Sequence, residues 1–145
     1  MKVSGNAILL TNGKFDTKSA KTAHGLIRGS KRFIIKSVID DKFHAQYVHS
    51  NKHGNVFMSS TKSKIPVFKN VESFLEAGID VNYCIIGVAS AGGILPEEMR
   101  NDVILALNNN ISIVNGLHSI LNYDSQLKKI ADKNNVKIHD IRVSK

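Results

Sequence analysis

The chain has 145 residues, the length of one ordinary domain, and its 42% hydrophobic content is that of a globular protein. No apolar run approaches the ~20 residues that span a bilayer, and the first one, broken by Ser4, Gly5 and Asn6, is too short for a signal peptide. The single cysteine, Cys84, excludes an internal disulfide and makes a reducing, cytoplasmic compartment the expectation, while a net charge of +8 favours anionic partners.

The apolar run AILL (7–10) predicts a first strand that stops at Asn12-Gly13. Beyond that turn, a helical pattern over 19–29 places Ala20, Ala23 and Ile27 on one face. FIIKSVI (33–39) predicts the second strand, and the polar stretch 40–64, which has no clear period, predicts a mobile excursion from its carboxyl end. IPVF (65–68) reads as a short strand that Pro66 keeps marginal or at an edge. Asn70 caps a helix that ends at Gly78, and YCIIGVA (83–89) is the next buried strand. Pro96 opens a helix with Glu97 and Glu98 beside its N-terminus, followed by the strand ISIV (111–114). Asp124 or Ser125 caps a fourth helix, and VKIHDI (136–141) closes the series as a strand. Near-continuous apolar runs, rather than strict alternation, mark strands covered on both faces. The expected fold is therefore α/β: a single domain over 1–145 with one doubly wound, mainly parallel, Rossmann-like sheet and helices on both faces.

Such sheets bind ligands outside the carboxyl ends of their strands. The first loop, TNGKFDTKS, lacks the glycine-lysine pair of a Walker A motif and the spacing of GxGxxG. It still offers a strand end, a turn and a helix start, so Asn12, Gly13, Lys14, Lys18, Ser19 and Thr22 are candidate phosphate contacts. A capped helix start with exposed lysines is the other reading. Ala89, Ser90, Ala91, Gly92 and Gly93 follow the third long strand, where small residues let a ligand approach the backbone. A plain turn before Pro96 explains both glycines almost as well. In NGLH, Asn115 and Gly116 stand at a strand end, and His118 is the candidate catalytic group, although a lone histidine is more often structural. His139 and Asp140 read as an internal hydrogen-bonded pair. His49 and His53 would align on a helix, but Ser50, Asn51, Gly54 and Asn55 oppose one there, and with His44 they lack a nearby cysteine or acid triad, so no metal site is expected; Cys84 reads as a buried small hydrophobe.

The segments LLTNGKFDTKSAKTAHGLIR, IIKSVIDDKF, IPVF, IIGVASAGGILPEEMR, NGLHSIL and VKIHDIR together resemble the N-terminal Rossmann-like domain of an uncharacterised-protein family. That family contains the D-glutamate N-acetyltransferases (N-acetyl-D-glutamate synthases), whose members continue into a C-terminal P-loop domain. No GK[ST] loop occurs in this chain, so the resemblance implies the N-terminal half alone, inactive by itself and partnered by a P-loop domain in cis or in trans. Its main departure is the longer, histidine-rich 43–64 segment. IPVFKNVESFLEAGIDVNYCIIGVASAGG is also similar to the CoA-binding domain of succinyl-CoA synthetase, which implies CoA or acetyl-CoA held by Asn12, Gly13, Lys14, Ser19, Ala89, Ser90 and Ala91.

The expectation is thus a phosphate-bearing small molecule, CoA or a nucleotide, bound by a domain that forms a homo-oligomer and engages no membrane. Two alternatives stand beside it. One is an NAD(P)-binding oxidoreductase-like domain, for which Asp40 and Asp41 end the second strand where a ribose-binding acid would sit. The other is a non-catalytic oligomerisation or interaction domain. Nucleic acid is disfavoured, because few aromatic residues interleave with the lysines.

Overall fold

The computed structural model describes residues 3–142. Its strands are β1 (Gly5–Leu10), β2 (Phe33–Ile39), β3 (Tyr47–Ser50), β4 (Val56–Ser59), β5 (Ile65–Phe68), β6 (Tyr83–Ile86), β7 (Ser112–Asn115) and β8 (Ile138–Asp140). The helices are α1 (Lys21–Arg28), α2 (Val71–Glu76), α3 (Glu97–Asn108) and α4 (Ser125–Lys133). One sheet runs in the order β4-β3-β5-β2-β1-β6-β7-β8. Pairings from β5 through β8 are parallel, whereas β3 is antiparallel to both β4 and β5. Without that hairpin the order is the 3-2-1-4-5-6 arrangement of doubly wound nucleotide-binding sheets. Right-handed crossovers place α1 on one face and α3 and α4 on the other, and α2 packs against α3.

β1 is central, between β2 and β6, so Ala7, Ile8 and Leu9 are fully buried. α1 comes close to the β1–β6 junction because residue 87 has no side chain. A Cβ there would lie 3.1 Å from the Ala23 Cβ and 3.3 Å from the Leu10 carbonyl oxygen. The predicted caps are in place: the Asn70 side chain accepts from the Ser73 N–H, and Asp124 accepts from the Leu127 N–H. No helix among the described residues is long and apolar enough to cross a membrane.

Three sequence expectations require correction. The 40–64 stretch is no irregular excursion, because it folds into the β3–β4 hairpin, closed by a turn in which the Asn51 side chain accepts from the His53 and Asn55 N–H groups. That hairpin extends the sheet past β5, so IPVF lies in its interior, with Pro66 opposite Tyr47. His139 and Asp140 do not pair. His139 packs beside the Tyr83 ring, 6.0 Å between centroids, while Asp140 accepts from Asn115 Nδ2 at 2.7 Å and from the Leu121 and Asn122 N–H groups at 2.9 and 3.1 Å.

Candidate functional site

The connections leaving β1 and β6 run to opposite sides of the sheet, which opens a crevice at their carboxyl ends. The β1–α1 loop forms one wall. Its anchor is Asp40, fully buried at the end of β2, whose carboxylate accepts from Thr11 Oγ1 at 2.6 Å and from the Phe15 N–H at 3.2 Å. The Lys42 and Phe43 N–H groups donate to its other oxygen at 3.0 and 3.3 Å. Phe15 is drawn inward with its N–H, 2% exposed, and its ring lies 4.7 Å from that of His24. The loop also closes on itself: the N–H groups of Lys14, Thr17, Ser19 and Ala20 donate to Thr11, Lys14 and Thr17. Fewer backbone N–H groups therefore face outward than a strand-to-helix turn supplies in principle.

The β6–α3 loop forms the opposite wall, tied to the first by an Ala89 N–H to Ser19 carbonyl bond of 2.8 Å. Between the walls lies a cleft of about 460 Å³ lined by Lys14, Ser19, Ala89, Ser90, Ala91, Ile94, Pro96 and Glu98. The Ser90 hydroxyl donates to the Ile94 carbonyl and closes the turn. A second depression of about 560 Å³ adjoins it across Glu98 and is lined by Asn12, Asp41, Lys69 and Asp102 among others.

Five sequence candidates thus converge on one cleft: Lys14, Ser19, Ala89, Ser90 and Ala91. Asn12 faces the second depression. Gly13 adjoins Asp41, whose Oδ1 would lie 3.1 Å from a Cβ at that position. Lys18 and Thr22 are exposed but do not line the cleft, because the short turn before α1 aims them elsewhere. Gly92 is exposed with positive φ, whereas Gly93 is buried under His118. A Cβ at Gly93 would meet the His118 Cβ at 2.6 Å, and the Ser119 N–H donates to the Gly93 carbonyl at 2.8 Å. The exposed His118 therefore seats the β7–α4 loop on the β6–α3 loop. Asn115 does not reach the crevice. It is fully buried, its Nδ2 donates to the Ser119 carbonyl and to Asp140, and its Oδ1 accepts from the Leu117 N–H. Gly116 contributes its carbonyl to Arg142.

Glu98, Ile94 and Pro96 were not singled out from sequence as cleft residues, although Glu98 in the first turn of α3 was visible as an acid beside a helix start. Asp40 is the larger surprise. As a buried clamp with its oxygens occupied, it is not available to a ribose hydroxyl, which removes one of the two acids behind the NAD(P) reading. Further from the cleft, burial pushes the Cys84 thiol far above its ordinary range, as expected of an inert small hydrophobe. Burial also raises Asp102, opposed by its bond from the Val71 N–H at 2.9 Å and reinforced by the charge of Asp41.

The family model for the N-terminal DUF1611 domain, a Rossmann-like domain of unknown function, matches residues 49–144. A DUF1611 family protein from Anabaena variabilis is 25% identical with a TM-score of 0.77, over 98% of this chain and 38% of that one. The D-glutamate N-acetyltransferase of Tritonibacter scottomollicae is 32% identical over 59 residues, 41% of this chain and 18% of the relative's length. Homoserine dehydrogenase of S. aureus, 15% identical with a TM-score of 0.51 over 99% of this chain and 33% of its own, shares the fold. The chain thus spans well under half the length of each of these relatives. Its matched sequence and its 3-2-1-4-5-6 sheet agree, and the chain belongs to the DUF1611 N-terminal family of Rossmann-like domains.

Proposed function

We propose that this domain binds the phosphate-bearing part of CoA, acetyl-CoA or a nucleotide in the cleft between the β1–α1 and β6–α3 loops, as the ligand-binding half of a larger acyl-transferring protein. One observation carries the reading: Lys14, Ser19 and the small residues Ala89, Ser90 and Ala91, chosen from sequence for a phosphate, line one cleft at the switch point of the sheet. Lys14 supplies the charge and the Ser19 hydroxyl a donor. The short side chains at 89–91 leave room for a ligand against the backbone, and the apolar Ile94 and Pro96 offer a surface to its uncharged part. Glu98 tempers the positive charge of Lys14 from the far rim. The acyl-transfer context rests on the similarity to the D-glutamate N-acetyltransferase, and completing the reaction is assigned to a P-loop domain outside this chain. A panel of CoA, acetyl-CoA, ADP, NAD and inorganic phosphate, followed by thermal unfolding, tests the reading. A ligand at ~100 times its dissociation constant adds ~2.7 kcal/mol. For a domain of this size that corresponds to a rise of roughly 8 °C in Tm. A rise with NAD alone, or with none of the panel, contradicts the proposal.

A further inference from the structure

At the opposite end of the sheet from this cleft, a groove of about 540 Å³ lies between the carboxyl half of α1, the first residues of β2, β3 and the start of β5. It exists because the connection from β2 to β5 is a hairpin where a doubly wound sheet ordinarily places a helix. Successive strand residues point to opposite faces, and along β2 this alternation is unbalanced. Phe33 and Ile35 are buried, whereas Ile34 on the other face is 62% exposed. Lys36, the extra residue of the bulge between Ile35 and Ser37, is only partly covered. A parallel strand pair is normally covered on both sides; here the groove leaves one side open.

The lining sets the aliphatic Leu26, Ile27, Ile34, Val48 and Ile65 beside the polar Ser30, His49, Ser50 and Ser63, and its lysines are Lys36 and Lys64. Neither lysine has a salt-bridge partner among the described residues. From Thr17 to Val71 the only acids are Asp40, which is buried, and Asp41 at the carboxyl edge. The groove therefore offers an aliphatic strip beside hydroxyl groups, with lysine as its charge and no acid near it, a combination that an aliphatic body with an anionic head complements and a cation does not. We propose that this groove is a second ligand site, for a small anionic amphiphile whose aliphatic chain lies along Leu26, Ile34 and Ile65 and whose head meets Lys36 and Lys64.

The experiment is an amide NMR titration of the full chain with decanoate, decyl phosphate, decyltrimethylammonium and inorganic phosphate. Decanoate or decyl phosphate is expected to shift the amides of Ile27, Ile35, Val48 and Ile65, and the tighter of the two identifies the head group. Decyltrimethylammonium and inorganic phosphate should leave those amides unmoved. Lys36→Glu with Lys64→Glu should weaken the anionic amphiphile about tenfold, since two exposed charge contacts become repulsive. Ile34→Ser should weaken it through the apolar contact alone, and both variants should melt close to the parent because Ile34 and Lys64 are exposed and Lys36 is partly so. Equal binding of the cationic amphiphile, unchanged affinity in both variants, or shifts centred on Lys14 and Ala89 would overturn the proposal.

Discussion

Asp40→Asn is the sharpest probe of how the first loop is held. The carboxylate takes the Thr11 hydroxyl and the Phe15 N–H on one oxygen and the Lys42 and Phe43 N–H groups on the other. An asparagine can present a carbonyl to only one pair. With the carbonyl toward Lys42 and Phe43, the amide NH₂ faces the buried Phe15 N–H, donor against donor. Thr11 survives this arrangement, since its hydroxyl already has the Ile39 carbonyl at 3.3 Å as a second acceptor. Phe15 does not, and a buried N–H without a partner costs about 1–3 kcal/mol. The two bonds that remain lose their charge assistance, roughly 0.5 kcal/mol each. The sum, about 3 kcal/mol, corresponds to a fall of roughly 10 °C in Tm for a domain of this length. Urea unfolding followed by circular dichroism, with an unchanged m-value, measures it. A loss below about 1 kcal/mol would refute the reasoning and mean that the Phe15 side chain, rather than Asp40, holds the loop.

Other substitutions separate the remaining claims. Gly93→Ala should destabilise by about 1–3 kcal/mol, because residue 93 has φ +68° and a Cβ there would meet His118 at 2.6 Å; a crystal structure of the variant should show the 115–121 loop displaced. Asp102→Asn should be neutral or stabilising at pH 7. Burial raises Asp102 in the fold, so its ionisation opposes stability as pH rises above the ordinary aspartate range, while an amide still accepts from Val71. The expected sign is that the variant gains on the parent as pH rises through that raised value, and a pH series of unfolding midpoints reads it. Asp124 behaves oppositely: its hydrogen bond from Arg100 holds it below the usual range, so its contribution is complete above that range and is lost as pH falls through the lowered value. Arg100→Ala should flatten the acid limb of the stability profile by no more than about 1 kcal/mol, since the pair is partly solvated.

The sheet was legible because its central strands are short, apolar and bounded by strong caps and turns. AILL, Cys84–Ile86 and the Ser37–Ile39 half of FIIKSVI are buried, and Asn70, Pro96 and Asp124 stand where the helices begin. The hairpin was hidden because its strands are only four residues long, YVHS is half polar, and His49, Lys52 and His53 lie in or beside its turn, so the stretch reads as a polar loop. A weaker signal was present in the turn residues of NKHGN between two runs containing valine and an aromatic residue. The cleft was half legible. Loops at strand ends can be ranked by composition, but whether Lys14 or Lys18 faces a ligand depends on the phase of one short turn. The roles of Asp40 and Asn115 depend on partners about 25 residues away, Phe15 and Asp140, which no local pattern encodes.

The central claim is that an anionic ligand occupies the cleft between Lys14 and Ala89. Its most direct measurement is calorimetric titration of CoA into the parent, Lys14→Ala, Lys18→Ala and Glu98→Gln. Lys14 lines the cleft and Lys18 does not. Lys14→Ala should therefore lose about 1–3 kcal/mol of affinity and Lys18→Ala little. Glu98→Gln should bind more tightly, because it removes the one acid that lines the cleft among the described residues. Equal losses at Lys14 and Lys18 with no gain at Glu98 would show that CoA responds only to the overall positive charge of the domain, and the cleft would not be the site.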